Sequence, residues 1–140
     1  MASGISNDHR IDMHLNSGMF NGHPLYIHYT SHNGHANIMM HRCIMARPNA
    51  DRRGTNAKPG VYLALAKDAM NSTLAHYTLF LGEERYAQSA THCIIFTFHT
   101  HPFLEQNLVT DGGTVHEAIH RGNIPFHSID VLFDGPNPFI

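Results

Sequence analysis

The sequence predicts an α+β domain with mainly antiparallel pairing, and three observations carry that expectation. Two strand-then-helix units open the periodic part of the chain, from Pro24 to Met45 and from Gly60 to Gly82. The run "THCIIFTFHT" at 91–100, dense in β-branched and aromatic residues, reads as the strongest strand. Short apolar runs separated by turn residues then fill the last third of the chain. A length of 140 residues suits a single domain, and 42% hydrophobic against 14% charged residues is enough apolar material for a packed core.

Residues 1–23 are polar and weakly periodic, and read as an N-terminal arm. In "LYIHYTS", Leu25, Ile27 and Tyr29 alternate with Tyr26, His28 and Thr30, the period of a strand with two usable faces. Ser31 then offers an N-cap, and Ala36, Ile38, Met39, Met40 and Cys43 recur roughly as one helix face. Residues 46–60 form a loop by their prolines, glycines and paired arginines, and deliver the chain to a second strand, "GVYLALA". Helical spacing returns over 67–80, with Gly82 as a stop and 83–90 as a solvated linker. Pro102 closes the 91–100 strand, a polar loop follows, and "DGG" and "RGNIP" turn the chain into "TVHEAIH" and "FHSIDVLF".

A formal net charge of −2 implies no general electrostatic grip on nucleic acid or acidic lipid, although the 14 histidines make the charge pH-sensitive. Two cysteines allow at most one disulfide and no disulfide framework. No secretory apolar region opens the chain, and no run approaches the ~18 apolar residues of a membrane span. A soluble chain is expected; a domain secreted or delivered within a larger toxin would read the same way.

The histidine groups "HNGH" at 32–35, "HRC" at 41–43 and "HTH" at 99–101 lack the matched second half that a zinc site needs, so no metal is expected. Neither a nucleophile elbow nor a glycine-rich phosphate loop is present. Three pieces remain in order: "LYIHYTS", "KPGVYLAL" and "TVHEAIHRGNIP". In these the chain resembles the ADP-ribosyltransferase superfamily, closest to small bacterial toxin domains with a His-Tyr-Asp or His-Tyr-Glu signature. The similarity covers residues 24–133 and implies a domain over 24–140.

The resemblance implies two small, mainly antiparallel sheets forming a split β-sandwich, with flanking helices around a cleft for NAD, which is a substrate. It puts His28 on the adenosine ribose with Tyr29 and with Thr30 or Ser31 beside it, and Tyr62 against nicotinamide with Gly60 allowing the close approach. An imidazole can donate to or accept from a hydroxyl, and a flat aromatic ring suits a pyridinium face. The family's acid falls on Glu117, with Asp111 second; the aspartate variant of the signature would use the 91–100 strand, which offers only Thr97 there. A carboxylate at that place favours the positive charge that grows on the sugar as the glycosidic bond breaks.

Taken alone, Tyr62 also reads as a core aromatic, His28 as a hydrogen-bonded strand histidine and Glu117 as a solvated strand acid. The implied activity is mono-ADP-ribosyl transfer to a protein or nucleic-acid acceptor, or to water as a NAD glycohydrolase, with an immunity or carrier protein as a further partner. Val115, two residues before Glu117, is neither Glu nor Gln, which disfavours arginine as the acceptor. The alternatives are a non-catalytic nucleotide- or protein-binding module of the same fold, and a histidine-rich metal-binding protein.

Overall fold

The computed structural model describes residues 18–46, 60–65, 91–110 and 114–137, with 106–110 and 114–117 described by their backbone alone. The expected helix over 67–80, the linker after it, Asp111 and most of the 46–60 loop lie outside the described residues. The fold is mixed α+β, and every strand pairing among the described residues is antiparallel.

A small hairpin comes first: β1 (Met19–Phe20) pairs with β2 (His23–Pro24), and the Leu25 N–H donates to the Gly18 carbonyl. It straddles position 24, where the sequence expectation starts the domain. β3 (Tyr26–Thr30) follows and leads into α1 (His32–His41). Ser31 caps that helix as expected, its hydroxyl accepting from the Gly34 N–H at 3.0 Å.

The far end of α1 differs from the expectation. Arg42 takes a left-handed conformation, φ 52°, and its N–H closes onto the Ile38 carbonyl, so the helix ends there. Cys43 therefore belongs to β4 (Cys43–Ile44) instead of a helix face. Only Ile38 of α1 is buried, while Met40 is exposed.

β5 (Val61–Leu65) and β6 (His92–Phe98) occupy the expected strand positions. β7 (Glu105–Thr110) stands where the sequence suggested a polar loop, and pairs along its whole length with β8 (Thr114–His120). β9 (Ile124–Pro125) pairs with β4, and a 3-10 turn (Phe126–Ser128) precedes β10 (Ile129–Pro136). The expected strand from Phe126 thus begins three residues late, because the Ser128 hydroxyl turns back to the Pro125 carbonyl at 2.7 Å.

The main sheet runs β10-β6-β3-β5-β8-β7. Its middle is a joint. β3 pairs along its full length with β6, yet among the described residues it meets β5 only at Tyr26↔Leu65 and Ile27↔Ala64. The opposite end of β5, Val61–Leu63, pairs with β8. Among the described residues, two ladder pairs join two three-stranded antiparallel halves, which also share the core through Tyr26, Phe96 and Leu63 and through the Phe98–His120 stack.

Residues 93–98 of β6 are buried on both faces, which explains a nearly continuous apolar run with no alternation. One face sends Ile94, Phe96 and Phe98 into a core with Tyr26, Leu63, Ile38 and Ile44; the other carries Cys93, Ile95 and Thr97. Thr97, 2% exposed, donates its hydroxyl to the Pro24 carbonyl at 2.8 Å and so ties β6 to the hairpin.

Candidate functional site

The joint of the sheet brings two of the expected site residues together. The β3–β5 ladder ends at Ile27↔Ala64 although both strands continue. Beyond it the His28 ring lies with Nδ1 3.0 Å from the Tyr62 carbonyl oxygen. A carbonyl only accepts, so Nδ1 carries the proton, and in the neutral ring Nε2 is the acceptor nitrogen. A side chain takes over there from the backbone ladder.

The two rings lie on different sides of their strands. His28 is the register partner of Ile94, on the core face, whereas Tyr62 alternates with Val61 and Leu63, both 1% exposed in that core. Tyr62 is half-buried, and its register partner on β8, Ile119, is fully buried. Its contact with His28 is through the backbone.

Tyr29 points away from His28 along the same strand and is 7% exposed, with Cys93 as its register partner. Thr30 pairs with His92, and its hydroxyl fills the space where a side chain on Gly34 would stand. The Ser31 hydroxyl is taken up by the helix cap. Gly60 has φ +135°, and a Cβ there would stand 2.5 Å from the His120 carbonyl oxygen and 2.7 Å from Ile119 Cγ2. The close approach that Gly60 permits is thus to β8.

Glu117 lies on β8 two residues before Ile119, the register partner of Tyr62, and is itself paired with Asn107 on β7. Arg121, just past the end of β8, holds the Glu105 carboxylate with two of its guanidinium nitrogens. That hydrogen bond raises the Arg121 pKa, and the negative charge of Glu105, with that of an ionised Tyr62, acts in the same direction. Burial raises the Tyr26 phenol and pushes the Cys93 thiol up to about 12, with Asp134 adding to the latter. Cys43 and Cys93 are both free thiols.

Sequence reasoning passed over one cluster. The His32 and His35 rings lie 5.2 and 5.5 Å from the His92 ring, and His35 Nε2 donates to Asp134 Oδ1 at 2.8 Å. The "HNGH" spacing, which puts two imidazoles one helical turn apart, was the available signal. Among the described residues no group of three or more His, Cys, Asp or Glu is placed to hold a metal ion. Among them, too, no helix is long and apolar enough to cross a membrane.

No family model, curated protein or solved structure matches the chain.

Proposed function

We propose that the chain binds NAD at the β3–β5 joint, cleaves the nicotinamide–ribose bond and passes ADP-ribose to a protein or nucleic-acid acceptor. The observation that carries this reading is the bond from the His28 ring to the Tyr62 backbone: two residues 34 positions apart, assigned by resemblance to one ligand, are in direct contact where the ladder stops. The two three-stranded halves would serve as the walls of a split sandwich, with the dinucleotide entering where they part.

The roles follow from the chemistry of each group. With its Nδ1 proton committed to a carbonyl, the His28 ring directs an acceptor nitrogen toward a ribose hydroxyl. The Tyr62 ring offers a flat face for the pyridinium ring of nicotinamide. Breaking the C1′–N bond sends its electron pair to nicotinamide and leaves positive charge on the ribose. A carboxylate from Glu117 favours that charge until the acceptor's nucleophile bonds C1′ and gives up its proton. Water in the acceptor's place gives a NAD glycohydrolase.

Titration calorimetry with NAD tests the binding half of this reading. Tyr62→Ala is expected to lose about 1 kcal/mol or more of affinity with the stack, and His28→Ala about 1–3 kcal/mol with the hydrogen bond. Parent-like affinity in both folded variants would remove the joint from the site. An absence of NAD binding by the parent would end the reading altogether.

A further inference from the structure

The corner where α1 meets β6 and β10 gathers titratable groups from all three elements. From α1 come His32 and His35, one turn apart, with no acidic residue in that first turn. From β6 comes His92, in T-shaped contact with His32 and stacked on His35. From β10 comes Asp134, hydrogen-bonded to His35. Thr91 Oγ1 lies 3.0 Å from His92 Nδ1, and the neighbouring Cys93 thiol, pushed up to about 12, stays uncharged.

We infer that these three histidines form an acid-sensitive latch, which holds the first turn of α1 against the β6–β10 corner at neutral pH and releases it on acidification. Neutral imidazoles pack on one another at little cost. Protonated ones repel, and here they would do so at the N-terminal end of a helix, where the backbone dipoles already concentrate positive charge. Asp134 offsets a single positive charge, and three imidazoles can supply more.

The His92 pKa agrees in sign. Burial lowers it below the ordinary 6.5, and His35 and His32 lower it further. The folded chain therefore binds fewer protons at His92 than the unfolded chain does. The stability this group contributes is complete above the unfolded value and is lost as pH falls through the lower, folded one. Thr30 pairs with His92 and Ser31 caps α1, so release would loosen the segment that follows His28. The latch does not depend on what the chain binds.

The test follows the full chain by NMR as pH is lowered from about 7.5 to about 5, spanning the ordinary histidine range. The amides of Gly34 and His35, bonded to the Ser31 hydroxyl and carbonyl, should lose exchange protection, corrected for the intrinsic pH effect, before the β6 amides do. His92→Gln should suppress that loss, and His127→Gln, on the exposed 3-10 turn, should leave it as in the parent. Equal acid sensitivity in His92→Gln and the parent would overturn the latch. Should His92→Gln not fold, His32→Gln, which removes the T-shaped partner of His92, decides: suppressed loss supports the latch, and parent-like loss overturns it.

Discussion

Gly60 shows how a residue expected to serve a ligand can answer first to the fold. Its φ of +135° lies in a region that L side chains rarely adopt, and the His120 carbonyl occupies the space a methyl would need. Gly60→Ala should therefore destabilise the chain by roughly 1–3 kcal/mol, read as a lower urea midpoint with an unchanged slope. A midpoint equal to the parent's would mean that the β5–β8 contact yields easily. His28 reads the other way. A lone strand histidine is commonly satisfied within the core, and this one is satisfied by the backbone of the other candidate residue. Structural and functional roles meet in a single bond, so His28→Ala should be checked for folding before its affinity is interpreted.

Among the elements, α1 was legible at its start and illegible at its end. Ser31 preceding a helical period is a signal with a mechanism, and Ser31→Ala should cost about 1 kcal/mol of stability as the Gly34 N–H loses its acceptor. Thermal denaturation checks it, and no shift would mean that water replaces the cap without loss. The stop at Arg42 carries no such signal, because arginine seldom takes the left-handed conformation that glycine takes freely. β6 was readable from composition, since burial on both faces demands an apolar run. β7 was hidden for the opposite reason: "EQNLVT" is largely polar, and its strand conformation comes from pairing with β8. The histidine latch was hidden as well, because it depends on residues 57 positions apart or more, which only the tertiary fold brings together. The "HNGH" half was visible without its partners.

For the molecule as a whole, the antiparallel α+β class followed from the order of strands and turns, while the joint between β3 and β5 did not. Val61–Leu65 is apolar at every position, and neither it nor Tyr26–Thr30 carries a glycine, proline or other local signal of where their ladder ends. The joint is nevertheless where the His28 ring meets the Tyr62 backbone, and the proposed NAD reaction depends on it together with the acid on β8. Single-turnover release of nicotinamide from NAD by the full chain, with and without protein and nucleic-acid acceptors, tests that reaction most directly. The parent should release nicotinamide. Glu117→Gln should do so about a hundredfold more slowly while its NAD affinity changes only a few-fold, because the carboxylate acts on charge that develops in the transition state. Parent-like release by Glu117→Gln with collapse in Asp111→Asn would move the acid to Asp111, and no release from the parent under any of these conditions would contradict the account.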